Sequence, residues 1–194
     1  NRSIFKHFFQ YVRKRDFTPT DLYKDVLKSV FNTTLSGANL YVDNLNGIDG
    51  ELGIRVGDSD YFGVINIGAD RQLYKTCQEE GIPGLDKDFG ESLFHGIRDE
   101  NSKINVLIGA KKFTEGWSSW RVSTMGLMNV GRSEGPQIIQ LFGRGVRLKG
   151  YNWTLKRSRE LDEYERPQSK ILDVIRYLET LNIFGIRSDY MEQF

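Results

Sequence analysis

Only one cysteine, Cys77, stands in the 194 residues, so no internal disulfide can form. The two histidines, His7 and His95, are distant from it and from each other, and these residues give no metal-ligand cluster; no metal site is expected. No apolar run approaches the roughly 20 residues of a membrane span, so no membrane partner is expected and the chain reads as cytoplasmic. The first residues, NRSIFKHFF, lack an initiator methionine and the long apolar stretch of a signal peptide. Together with the abrupt end at MEQF, they read as a piece excised from something longer. An excess of one charge is also missing. Lys and Arg number 27 against 26 Asp and Glu, a net charge of +1, so any affinity for nucleic acid must come from a local patch. Internal repeats and low-complexity tracts are absent.

What is present is ordinary globular composition, 39% hydrophobic and 27% charged. The length suits one compact domain plus appendages, burying roughly 70% of the unfolded chain's surface. Apolar residues recur at helical spacing over 3–15, and Thr18-Pro19-Thr20-Asp21 then offers a cap for a second helix carrying Leu22, Tyr23, Val26, Leu27 and Val30. Residues 40–45 and 51–56 read as strands joined across Asn46-Gly47 and Asp49-Gly50, turn dipeptides that tolerate positive φ. This hairpin looks like an edge addition to the main sheet. Residues 61–67 form a short apolar run between glycines, as in a buried parallel strand. A helix is predicted over 69–80, with Leu73, Tyr74 and Cys77 inward and Gly81 as its stop. Another is predicted over 86–98, then buried strands at 104–108 and 122–130, and a last helix over 169–181. Strands alternating with helices argue for an α/β fold with a parallel sheet and right-handed crossovers. Ligands collect beyond the carboxyl ends of such strands, which directs attention to 111–119 and 131–135.

Between those last two strands and the polar segment after Gly150 lies the sharpest pattern. In PQIIQLFGRGVR, residues Gln140, Gly143, Arg144 and Arg147 sit at i, i+3, i+4 and i+7, which a helix gathers on one face. Ile138, Ile139, Leu141, Phe142 and Val146 are left to pack on the other side. Pro136 suits the first turn. A guanidinium is always charged and presents a planar fork of donors, so its natural target is a phosphate. A solvated basic stripe is the bland alternative.

QLFGRGVR has the form Gln-x-x-Gly-Arg-x-x-Arg and resembles motif VI of the superfamily 2 helicases. KFTEGWSSWRVSTMGLMNV, upstream, resembles motif V in the matching place. The resemblance is nearest to the Res subunit of type III restriction enzymes and related bacterial restriction or defence helicases. It is strong over about 104–150 and weaker from about 62 and on to the chain end. It implies a second RecA-like domain over 36–150, with the hairpin at about 40–57 as an insertion, a helical lead-in over 1–35, and a helical extension over 151–194. It implies that Arg144 and Arg147 are arginine fingers stabilising charge on a transferring phosphoryl group, with Gln140 and Gly143 beside the nucleotide. Gly116 and Glu115 are the motif V candidates for the nucleotide. Superfamily members often place Asp where this chain has Ser118, and Glu115 is the nearest carboxylate. Lys111, Lys112, Thr114 and Trp117 are the candidates for nucleic acid. Packing is the plainer reading of Trp117 and Trp120, and base stacking the functional one. Lys149, Lys156, Arg157 and Arg159 could extend a phosphate-tracking patch, since residues 140–159 hold six basic side chains and no acidic one.

Helicase-type hydrolysis also needs a phosphate loop and an acidic residue for Mg²⁺. No G-x-x-x-x-G-K-[ST] stretch exists here. Asp162-Glu163-Tyr164-Glu165 follows basic residues rather than an apolar strand and comes after the arginine helix, so it reads as solvated surface. ATP and Mg²⁺ are therefore expected to be held mainly by a preceding RecA-like domain, and the chain alone is expected to be inactive. The implied partners are that domain, single- or double-stranded DNA, and a methyltransferase or specificity subunit. Two other readings compete. One is a non-motor module of the same fold that docks nucleic acid or protein. The other is a small-molecule α/β enzyme, for which no nucleophile or acid–base pair forms a coherent cluster.

Overall fold

The computed structural model describes residue 12 and residues 15–110, 119–128, 135–146, 150–165 and 179–186. The expected helix over 3–15 and most of that over 169–181 lie outside them. The chain divides into two compact units, Asp16–Trp117 and Asn1–Arg15 with Ser118–Phe194. It is an α/β protein whose main sheet is mixed.

In the first unit, helix α1 (Pro19–Phe31) starts where the sequence places it. Thr18 Oγ1 accepts from the Asp21 N–H at 3.1 Å, and Pro19 opens the first turn. The helix closes on Asn32 in the left-handed region, and the Asn32 amide donates to the carbonyls of Tyr61 and Lys103. Asn105 donates back to the carbonyls of Ser29 and Val30, satisfying acceptors that a helix end otherwise leaves open.

Strands β1 (Leu40–Asn46), β2 (Glu51–Val56), β3 (Gly63–Asn66), β4 (Asp86–Asp88) and β5 (Val106–Gly109) form one sheet in the order β4-β1-β2-β3-β5. Two sequence expectations are corrected here. The 40–57 hairpin is not an edge addition: β1 and β2 lie inside the sheet, and all six residues of β2 are buried. Nor is the sheet parallel throughout. The β1–β2 and β2–β3 pairs are antiparallel, while β1–β4 and β3–β5 are parallel. The turn chemistry was legible, but a hairpin's place in a sheet depends on what pairs with its outer strands.

Helix α2 (Asp70–Glu79) follows β3, and Gly81 at φ +82° ends that segment as expected. Leu73, Tyr74 and Cys77 pack on the core formed by Val42, Leu52, Ile54, Val56, Phe62 and Ile65. The helix expected over 86–98 is instead β4 followed by a short helix α3 (Leu93–Gly96). Asp86–Asp88 is drawn into the ladder by β1: the Asn44 N–H donates to Leu85 O and the Phe89 N–H to Asn46 O. Tertiary pairing overrides the apolar spacing of Phe89, Leu93, Phe94 and Ile97.

In the second unit, β6 (Thr124–Met128) falls within the strand expected over 122–130, but its partner is β7 (Asn182–Ile186). They pair in parallel, Thr124 opposite Asn182 through Met128 opposite Ile186. Among the described residues between them come helix α4 (Gly135–Gly145) and three single 3-10 turns at Tyr151–Trp153, Ser158–Glu160 and Glu163–Glu165. Among the described residues, no helix is long and apolar enough to cross a membrane.

Candidate functional site

Helix α4 carries the pattern that the sequence singles out. Pro136 falls in its first turn. Gln140, Gly143 and Arg144 share a face by the i, i+3, i+4 relation; Gln140 and Gly143 are exposed and Arg144 is half-buried. Leu141 and Phe142 pack on buried Leu127 of β6, together with Ile183 of β7. The β6–β7 pair thus supplies the floor on which the helix rests.

Two details of this helix differ from expectation. Ile139 and Val146 do not pack inward but stand 59% and 54% exposed. The helix ends at Gly145, so the i+7 position falls beyond its last residue, and Arg147 lies outside the described residues. Close packing requires a glycine at the helix end. A Cβ at Gly145 would come within 2.6 Å of Met125 Cε and 2.8 Å of Leu181 Cδ2. A Cβ at Gly143 would meet nothing within 4 Å among the described residues.

Lys111, Lys112, Thr114, Glu115, Gly116 and Trp117 lie outside the described residues. The strand leading to them, β5, ends with Gly109 opposite Asn66, the last residue of β3. The carboxyl ends of this parallel pair therefore lie side by side. Trp120, expected to pack, is 51% exposed and meets Trp153 edge to face, with ring centroids 6.3 Å apart and an angle of 81°. Lys156 is tied to Asp162 at 3.4 Å and to Glu165 at 3.1 Å, whereas Arg157 and Arg159 are exposed. Asp162, Glu163 and Tyr164 are exposed, as expected of a charged surface.

One cluster was missed in the sequence. Asp43, fully buried in β1, receives five donors. Arg55 Nε and Tyr61 Oη reach its Oδ2, the latter at 2.9 Å, and Lys87 Nζ lies 3.4 Å from the same oxygen. The Leu85 N–H at 2.9 Å and Arg55 Nη2 at 3.3 Å reach Oδ1. Burial opposes ionisation of this carboxyl, but the Arg55, Leu85 and Tyr61 donors together hold it below the usual carboxylate range. Burial, and then the neighbouring carboxylate, push the Tyr61 phenol well above its usual value. Gly53, opposite Asp43 in the ladder, makes room for Tyr61: a Cβ there would lie 2.5 Å from Tyr61 Cε1. The cluster is closed on itself, with each carboxylate oxygen occupied, and its chemistry is that of a structural key. The readable signal was alternation, with Tyr41 and Asp43 two apart on one strand and Glu51, Gly53 and Arg55 at successive steps of two on the other.

An open cavity of about 500 Å³ lies between α1 and the loops after β2 and before β5, lined in part by Lys28, Asn32, Thr33, Asp58 and Lys103. Lys28 and Lys103 are balanced by Asp58 and Asp60 in its lining, so it favours neither sign of ligand. Among the described residues, no group of three or more His, Cys, Asp or Glu could hold a metal ion. Comparison with models of known families, with curated proteins and with solved structures gives no match.

Proposed function

We propose that this chain is the second RecA-like domain of a DNA-dependent ATPase, helicase or translocase of the restriction type. The carrying observation is helix α4, which presents Gln140, Gly143 and Arg144 on one face while Leu141 and Phe142 fasten it to β6 and β7. A guanidinium on an element fixed this way loses little freedom on meeting a phosphate. Arg144, with Arg147 beyond the helix end, would stabilise charge on the phosphoryl group of ATP bound mainly by a preceding domain. Gln140 and Gly143 would lie beside the nucleotide, and Glu115 and Gly116 are the motif V candidates for it. Lys111, Lys112, Thr114 and Trp117 would contact DNA. ATP with Mg²⁺ supplies the phosphoryl group and its counter-charge.

The reading is tested on the intact protein by DNA-stimulated ATPase. Arg144→Ala and Arg147→Ala are each expected to lower kcat by about 10³–10⁵, the range for arginine fingers. Unchanged turnover in both variants rejects the assignment. The antiparallel centre of the main sheet favours the second reading, a non-motor module that docks nucleic acid or a partner protein. An intact protein without ATPase activity would select that reading.

A further inference from the structure

The turn after helix α4 displays aromatic surface in a way that packing does not explain. Trp153 is 70% exposed and Tyr151 49%, and Trp120 stands half-open against the Trp153 ring. The backbone is bent to hold them there. Asn152 and Trp153 both adopt positive φ, 51° and 62°, a region that a bulky side chain rarely enters. Three hydrogen bonds close the turn: Gly150 N–H to Thr154 O at 3.1 Å, Trp153 N–H to Gly150 O at 3.0 Å, and Thr154 N–H to Tyr151 O at 3.1 Å. The turn is so tight that a Cβ at Gly150 would lie 2.3 Å from Thr154 O.

The segment that follows is anchored and begins with basic residues. Ser158 is held through its N–H and hydroxyl by the Glu179 carboxylate at 2.7 and 3.0 Å, and Leu161 is buried. Arg157 and Arg159 flank the anchored serine and are exposed. Lys156 is matched by Asp162 and Glu165, which leaves Arg157 and Arg159 as exposed cations, with Glu160 and Glu163 exposed further along. Exposed indole rings followed a few residues on by exposed guanidiniums suit a ligand with flat apolar faces and regularly spaced negative charges. Bases provide the first and phosphates the second.

We propose that Trp153, with Trp120 and Tyr151 beside it, is a stacking platform for the bases of single-stranded nucleic acid whose phosphates meet Arg157 and Arg159. This deepens the function proposed above and rests on it for the choice of nucleic acid as the polyanion. It assigns strand contact to residues 151–159, outside motifs V and VI, with Trp120 joining from the motif V stretch.

The test uses the 194-residue chain without ATP, so its outcome is independent of Arg144. Anisotropy would follow a labelled oligodeoxythymidylate of about 20 nucleotides, long enough to span a site of the usual size for single strands, an abasic oligomer of equal length, and a duplex. The wild-type chain should bind the oligothymidylate most tightly. Trp153→Ala should weaken that binding about five- to hundred-fold, the range for loss of one stacked base, and leave the abasic oligomer unaffected. Trp153→Phe should retain most of the affinity. Arg157→Gln with Arg159→Gln should weaken both oligomers and lower the salt slope by about 0.7 for each phosphate no longer neutralised. These arginines are exposed, so this variant reports even if Trp153→Ala proves unstable. No binding of oligothymidylate by the wild-type chain overturns the proposal. So does wild-type affinity in Trp153→Ala, an equal loss on the abasic oligomer, or a preference for duplex.

Discussion

Asp43 and Arg55 meet diagonally across the β1–β2 ladder. Asp43 lies opposite Gly53 and Arg55 opposite Tyr41, so the guanidinium reaches back over the glycine, with Nη2 3.3 Å from Oδ1 and Nε on Oδ2. The same guanidinium lies over the Tyr41 ring, 4.4 Å from its centroid, and Nη1 donates to Gly57 O. Both side chains are almost wholly withdrawn from water.

Removing one partner of such a pair leaves an uncompensated charge in the interior. Arg55→Met should destabilise the chain by about 3–5 kcal/mol. The double variant Asp43→Leu with Arg55→Met should recover much of that loss, because neither charge then remains to be solvated. Urea denaturation of the three proteins checks both statements.

The same cluster sets two limbs of the pH–stability curve. The folded-state pKa of Asp43 is depressed, so its contribution is complete above the unfolded value, near 3.8, and is lost as pH falls through the lower folded value. For Tyr61 the folded pKa is raised, so its contribution is complete below the unfolded value of 10.0 and is lost as pH rises beyond it. Asp43→Asn should flatten the acid limb below about pH 4, and Tyr61→Phe the alkaline limb above about pH 10. Melting temperatures across both ranges give the comparison.

Gly143 offers a way to separate stability from activity. It lies within α4 with open space where a Cβ would stand. Gly143→Ala should therefore stabilise the chain by about 0.5–1 kcal/mol through helix propensity. If that face meets nucleotide, the same change should lower the ATPase of the intact protein. Thermal melts and turnover on one preparation would read both effects.

Gly84 is the contrasting case. A Cβ there would lie 2.0 Å from Val42 O and 2.6 Å from Tyr74 Cε2, and the backbone oxygen cannot rotate away. Pro83 O and Leu85 N–H bond β1 on either side of this glycine, at 3.0 Å to Val42 N and 2.9 Å to Asp43 Oδ1. Gly84→Ala should destabilise the chain by about 1–3 kcal/mol, as overpacking does, with a lower urea midpoint as the observable.

Local chemistry carried much of this architecture into the sequence. The Thr18 cap, the turns after Asn46, helix α2 with its Gly81 stop, and helix α4 after Pro136 were legible because each rests on neighbours a few residues apart. Pairing was not. Nothing local shows that Asp86–Asp88 joins β1 or that Asn182–Ile186 joins β6, since both ladders join segments far apart in the chain. The buried cluster escaped for a related reason: strand residues such as Asp43 and Arg55 look solvent-facing until β4 and Tyr61 cover them. In the candidate site, the Gln140–Gly143–Arg144 face followed from helical spacing, whereas the exposed turn at Trp153 depends on a positive φ at a tryptophan, which that residue type does not announce.

The two faces of the β1–β2 ribbon differ in kind, with Val42, Leu52 and Ile54 on one and Asp43 and Arg55 on the other. Sliding either strand by a single residue would thrust a charge among aliphatic groups and strand its counterpart. Misaligned hairpins are thereby penalised twice, and the β1–β2 pairing has one admissible alignment.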